Sequence, residues 1–199
     1  LEGPSIKVIV DEDDDMPDDR SKVRTWSLPV ALLSHHSPYL MAECDCILGE
    51  PEPSHISLVD VSPGVFRLFV EWMYSGSDVS PCNYSEFSHN PHTLSWILGD
   101  KLQCTDFQNH TMRLLYCEHT HESALRAIQP HDFALVLQNK PTSNSLIRFY
   151  LQFVNTHFSD QARVAGTLDQ WDKASKDSVI ARKTFLCALR ESSARRSFM

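Results

Sequence analysis

The residues best suited to chemistry lie in a few short stretches, and the first of them is His35-His36-Ser37. A serine beside a histidine could form a hydrolytic nucleophile and its base, which also needs a third group to orient the histidine. No G-x-S-x-G elbow surrounds the serine. Ser37-Pro38 is instead typical of a helix start, with serine as N-cap and proline in the first helical position. We therefore interpret Ser37 as a helix cap, and a Ser/His enzyme is a distant alternative.

Two further stretches contain residue types that bind transition metals. The sequence C-D-C at 44–46 follows the two histidines, and C-E-H-T-H at 117–121 holds one thiol and two imidazoles. Structural zinc sites usually combine two cysteines spaced two to four residues apart with a second pair of ligands. C-x-C is a poor match to that spacing. We therefore expect no metal centre here, and a metal-dependent enzyme is a distant alternative.

The negative charge of the chain is concentrated near its start. Residues 1–20 carry eight acidic and two basic side chains, which accounts for −6 of the net charge of −8. Most of these acids form one run, here called the acidic loop: Asp11, Glu12, Asp13, Asp14, Asp15, Asp18 and Asp19. An EF-hand calcium loop needs a central glycine, a final glutamate and flanking helices, and this run has none of them. We expect a solvated loop, with docking of a basic partner as the alternative.

Composition argues against several classes of function. The rest of the chain is near neutral, so no basic surface for nucleic acid is expected. No apolar run of about 18 residues predicts a membrane helix, and the first residues do not resemble a secretion signal. The six cysteines contain no C-x-x-C pair and are expected to be free thiols in a reducing intracellular compartment, the nucleus or the cytoplasm. With six glycines and no glycine-rich phosphate loop, we expect no nucleotide bound through a phosphate cradle, and we expect no cofactor.

Periodicity and helix-start signals predict an α+β organisation. Alternating apolar residues predict strands at 6–10, 23–28 and 55–61, the first two as a hairpin around the acidic loop. Helices are expected to begin near Pro29, Ser37-Pro38 and Ser62-Pro63, and the last of these should end at Gly76. Loops are expected at 44–54 and 159–170. The remaining predicted helices lie at 94–102, 105–117 (opened by a capping box from Thr105 to Gln108), 131–138, 144–158 and 178–191.

Three blocks of the sequence, in this order, resemble the BTB/POZ domain. They are WSLPVALLSHHSPYL (26–40), ISLVDVSPGVFRLFVEWMYSG (56–76) and LSWILGDKLQCTDFQNHTMRLL (94–115). The resemblance is carried by Trp26, Leu28, Leu32, Leu33, Ser37, Leu58, Phe66, Tyr74, Gly76, Asp100 and Leu102. It implies a small sheet with surrounding helices over residues 5–118, followed by an all-helical extension over 119–199 that is similar to fungal BTB proteins. Residues 1–4 are treated as an expression remnant.

The chain also departs from the family pattern. Pro29 stands where the family usually has a histidine, and the aspartate expected before the first strand, near Ser5, is absent. Those two residues commonly pair in the family, so their joint absence indicates a divergent member.

BTB/POZ domains have no catalytic activity of their own, so the resemblance implies a protein–protein interaction module. It would be an oligomerising scaffold or an adaptor, with a second copy of the chain as one expected partner. The alternative is a substrate adaptor of a cullin-type ubiquitin ligase, because Leu48-Gly49-Glu50 fits the hydrophobic-x-Glu motif of cullin-binding members. The residues themselves place Tyr39, Leu40 and Met41 on one short helix that cannot bury all of its faces. The predicted partner contacts are therefore Tyr39, Leu40, Met41, Leu48 and Glu50.

Overall fold

The computed structural model of the chain describes residues 3–11, 23–49, 55–76, 84–121, 126–139 and 145–183. Its elements are β1 Ser5–Asp11, β2 Arg24–Pro29, α1 Val30–His36, α2 Pro38–Leu48, β3 Ile56–Val59, α3 Pro63–Ser75, α4 Pro91–Lys101, α5 Thr105–Thr120, α6 Pro130–Asn139, α7 Ser145–His157 and α8 Leu168–Ser175. The predicted α+β class is confirmed. From Glu12 onward the acidic loop lies outside the described residues, as does the predicted helix beyond residue 183.

The chain forms two compact units, Leu1–Thr111 and Met112–Met199. The boundary between them falls within α5, the helix in which the sequence also places the end of its first domain. In the part of the chain that the structure describes, no helix is both long enough and apolar enough to cross a membrane.

A three-stranded sheet in the order β2-β1-β3 lies at the centre of the first unit. β1 pairs antiparallel with β2, which places Val8 opposite Trp26, and parallel with β3, which places Val8 beside Ile56. Because side chains alternate along a strand, Ile6, Val8 and Val10 all point into the core and the residues between them face outward.

Helix α3 provides much of the core that covers this sheet. The sequence spaces apolar residues at 66, 69, 70 and 73, which predicts one apolar helix face. Phe66, Phe69 and Met73 are buried there and Val70 is partly buried. The ring of Phe66 meets that of Trp26 edge-on, with 4.9 Å between the ring centroids. Gly76 then adopts a left-handed conformation with φ of 66° and donates its N–H to the Trp72 carbonyl, which ends the helix.

Three local predictions are wrong. Residues 44–48 are not a loop, because α2 continues through them to Leu48. The capping box at Thr105 does not form, because Thr105 is already the first residue of α5 and the cap position is Cys104; the Gln108 side-chain amide donates to Asp100 Oδ1, 3.1 Å away. The expected loop at 159–170 runs into α8, whose first turn has a capping box between Thr167 and Gln170.

The second unit has its own aromatic core. Phe133 of α6, Tyr150 of α7 and Trp171 of α8 are all buried, and the rings of Phe133 and Trp171 lie 5.4 Å apart. Trp171 lies in α8 and its Nε1–H donates to the Ala165 carbonyl oxygen at 2.8 Å. This indole therefore fastens α8 to the backbone segment that precedes it.

Candidate functional site

Ser37 lies between α1 and α2 and fixes the start of α2. Its backbone is extended, and its Oγ accepts a hydrogen bond from the backbone N–H of Leu40 at 3.0 Å. The hydroxyl proton is donated to the carbonyl oxygen of Leu102, 2.6 Å away, at the end of α4. The side chain is fully buried. The interpretation of Ser37 as a helix cap is therefore confirmed.

The two histidines before Ser37 pack against aromatic residues. The His36 ring lies 4.7 Å from that of His35 and 5.0 Å from that of Trp72, and both arrangements are edge-on. Burial lowers the pKa of His36, the nearby His35 lowers it further, and a hydrogen bond with the Met73 backbone acts against both effects. His36 therefore forms its hydrogen bond with the backbone of α3, whereas the Ser37 hydroxyl bonds to the start of α2 and to the carbonyl at the end of α4.

The candidate metal ligands point apart. In α2, Cys44 is buried and Cys46 is exposed, because residues two apart lie on opposite sides of a helix. Burial raises the pKa of the Cys44 thiol, and the neighbouring Asp45 raises it further. In α5, Cys117 is exposed while His119 is buried. Within the described residues, neither stretch brings three ligand atoms to within metal-binding reach of one another.

The predicted partner contacts on α2 divide into buried and exposed residues. Leu40 was expected to contact a partner, and this is wrong, because its side chain is 0% exposed and packs in the core. Tyr39 is half-buried against the same core, and its hydroxyl bonds to Glu43. Met41 is 43% exposed. Leu48 is the last residue of α2; its side chain, like all of Glu50, lies outside the described residues.

Met41 belongs to a longer exposed face of α2, which we call the α2 outer stripe. Its members recur at helical spacing and are all exposed: Pro38, Met41, Ala42, Asp45, Cys46 and Gly49. A single charged side chain, Asp45, interrupts this otherwise apolar or small set. A surface helix normally pairs a buried apolar face with a polar outer face, and an apolar outer face is typical of a contact surface.

The sequence prediction missed Ala42 and Cys46 as members of this stripe. The signal was available in the helical period, which continues from Met41 through Asp45 once residues 44–48 are included in the helix. The prediction of a loop at 44–54 concealed it.

A scan against models of known protein families finds no match to this chain. A search of curated proteins also finds no match. The functional conclusion therefore rests on the residues and their geometry.

Proposed function

We propose that this chain is a non-enzymatic protein–protein interaction module of the BTB/POZ type, in which the α2 outer stripe contacts the partner protein. The observation that carries this proposal is an exposed apolar helix face held on a rigid base. Leu40 and Cys44 anchor the opposite side of α2 in the core, so Met41 is presented from a helix that is already ordered. Preorganised contact residues lose little conformational entropy on binding.

The positions that carry the resemblance support the BTB/POZ assignment. Leu28, Leu33 and Leu58 are buried together in the core of the first unit, with Phe66 and Leu102. The hydrogen bond from Ser37 to the Leu102 carbonyl links the first and third of the resembling blocks across 65 residues. The blocks thus form one packed body, as a single family pattern requires.

Within this class we favour an oligomerising scaffold or adaptor. A cullin adaptor is the second candidate, and the extent of α2 favours it. Leu48 ends the helix about two turns after Met41, since an α-helix has about 3.6 residues per turn. The Leu48-Gly49-Glu50 motif therefore continues directly from the α2 outer stripe. An apolar anchor followed by a carboxylate suits docking into a helical groove with basic residues at its rim.

The test replaces exposed apolar residues by aspartate and measures binding. Partners are first identified by affinity purification from the native host, and the purified partner is then titrated against wild type, Met41→Asp and Cys46→Asp. Each aspartate should weaken binding by about tenfold or more, because a buried charge without a partner is costly at an interface. Val59→Asp is the matched control, since Val59 is 54% exposed on the sheet of the same unit. Its affinity should stay within about twofold of wild type.

Four readouts separate the alternatives. Light scattering at tens of micromolar reports self-association, which Met41→Asp should abolish if the partner is a second copy. A cullin pull-down that survives the Leu48→Ala, Glu50→Ala double variant would show that this motif is not the cullin contact, whereas a wild-type chain that captures no cullin removes the cullin candidate. Full binding by both α2 variants, with unchanged circular dichroism, would refute the use of the α2 outer stripe. Stoichiometric zinc in the pure protein would instead favour the metal-dependent enzyme.

A further inference from the structure

The second unit contains a histidine in an unusually apolar setting. His119, near the end of α5, is 2% exposed. Its imidazole ring lies beside two phenyl rings of α7, with ring centroids 6.1 Å from Phe149 and 5.7 Å from Phe153. A charged imidazole in such surroundings loses its hydration, so these surroundings favour the neutral ring.

The hydrogen bonds of this ring fix its tautomer. His119 Nδ1 lies 2.6 Å from the carbonyl oxygen of Arg126. A carbonyl oxygen can only accept, so Nδ1 carries the proton and donates it. Nε2 is then the unprotonated nitrogen, and it is buried with no hydrogen-bond partner among the described residues. The neutral ring therefore fits the site, whereas a proton on Nε2 would find no acceptor among the residues that the structure describes.

The hydrogen bond from His119 to the Arg126 carbonyl joins the end of α5 to the backbone that precedes α6. The Arg126 N–H donates to the Glu118 carbonyl at 3.3 Å. Both backbone groups of Arg126, its N–H and its carbonyl, are therefore hydrogen-bonded to α5. Two residues further on, Ile128 exchanges hydrogen bonds with the backbone of Arg163 and Ala165. Loosening of the His119 contact would therefore affect the segment that leads into α6.

The charges around the ring have opposing effects. Burial has the largest influence and lowers the pKa of His119, and the Arg126 guanidinium adds a smaller effect in the same direction. The Arg126 carbonyl, Glu118 and Asp132 raise it without reversing the net shift. Asp132 of α6 is itself 3.6 Å from His131 Nε2. The described contacts from α7 are phenyl rings, which carry no charge.

We infer that His119 is an acid-sensitive latch: protonation of Nε2 breaks the fit of the ring and releases the backbone of Arg126 from the end of α5. This inference is independent of the proposed function. Because the native state disfavours the proton, the unfolded chain binds it more readily, and stability falls as pH drops below the unfolded value of about 6.5. Above that pH the latch is closed and contributes its full stability. One proton can increase opening by up to about tenfold per pH unit.

The test is hydrogen exchange with mass spectrometry on the full chain at pH 7.5 and pH 5.5, after correction for the intrinsic exchange rate. Peptides that carry the amides of Arg126 and Ile128 should show increased opening at pH 5.5 in the wild type, by up to about tenfold. In His119→Asn the side-chain amide can still donate to the Arg126 carbonyl but cannot take a proton. That variant should lose the pH-dependent increase even if its protection is lower at both pH values. His121→Asn, a nearby exposed histidine, should behave like wild type.

An unchanged pH response in His119→Asn would overturn the inference, as would a wild type without any response in this segment. Ring proton–carbon NMR of the wild-type chain provides a measurement that needs no variant to fold. The His119 ring should titrate below pH 6.5, on the Nδ1–H tautomer while neutral. Titration at or above 6.5 would also overturn the latch.

Discussion

Replacement of Ser37 by alanine should destabilise the first unit more than any other single removal of a hydroxyl group described above. The Ser37 hydroxyl caps α2 at Leu40 and donates to the buried Leu102 carbonyl. Loss of an N-cap costs about 1 kcal/mol. A buried carbonyl without its donor costs about 1–3 kcal/mol more. We therefore expect a loss of about 2–4 kcal/mol in the free energy of unfolding, or roughly 4–16 °C in melting temperature for a chain of this size.

Urea denaturation followed by circular dichroism measures this loss. Ser27→Ala is the matched control, because Ser27 is exposed on β2 and the same atom is removed. It should change stability by less than about 0.5 kcal/mol. Ser37→Gly separates the two contributions, since glycine is a fair N-cap and costs only a few tenths there. A loss in Ser37→Ala no larger than in Ser27→Ala would show that the Leu102 bond contributes nothing, and the reasoning would be refuted.

Two further predictions concern backbone strain and thiol reactivity. Gly166 has φ of 97°, and a β-carbon there would lie 2.6 Å from Pro130 Cγ. Gly166→Ala should therefore lower the free energy of unfolding by about 1–3 kcal/mol, measured by urea denaturation. A loss below about 0.5 kcal/mol would contradict the close approach. At neutral pH, Cys46 should react with maleimide on the order of tenfold faster than Cys44, because Cys44 is buried and burial raises the pKa of its thiol. Peptide mass spectrometry reads both sites, unfolded chain should label both equally, and equal labelling of the native chain would contradict the assigned faces of α2.

The sequence predicted those helix ends and strands that depend on interactions between residues close together in the chain. The start of α2 follows from Ser37-Pro38, since a cap and a first-position proline act within one turn. The apolar stripe and glycine end of α3 follow in the same way. The sheet pattern also follows, because one face of each strand is buried and the other is not.

Two stretches with the same T-x-x-Q pattern show where local signals stop. Thr167 and Gln170 form a capping box, whereas Thr105 and Gln108 do not. The difference is where each helix begins: Thr167 precedes α8 as its N-cap, whereas Thr105 is already the first residue of α5. The amide of Gln108 instead donates to Asp100 of α4, a partner on another helix that the local pattern does not reveal.

The candidate site was predicted in part for a related reason. The sequence and the structure both lead us to propose α2 as the contact helix, but the sequence could not decide which side of α2 faces the core. Leu40 and Met41 are both large and apolar, and they lie about 100° apart on the helix. The choice is made by the packing of the first unit, which takes Leu40 and leaves Met41 outside. A helix that is apolar on both faces has no polar side to reveal its orientation.

The central position of β1 has a consequence for the order in which the protein folds during synthesis. β2 ends at Pro29 and β3, the other neighbour of β1, begins only at Ile56, so β3 follows about one to several seconds later at ribosomal rates of about 5–20 residues per second. A hairpin forms within microseconds once both strands exist. For that time the nascent β1–β2 pair has the unpaired N–H and C=O groups of β1 exposed at one edge. Throughout that interval, the growing chain depends on the ribosome surface or a chaperone to keep other strands from that edge.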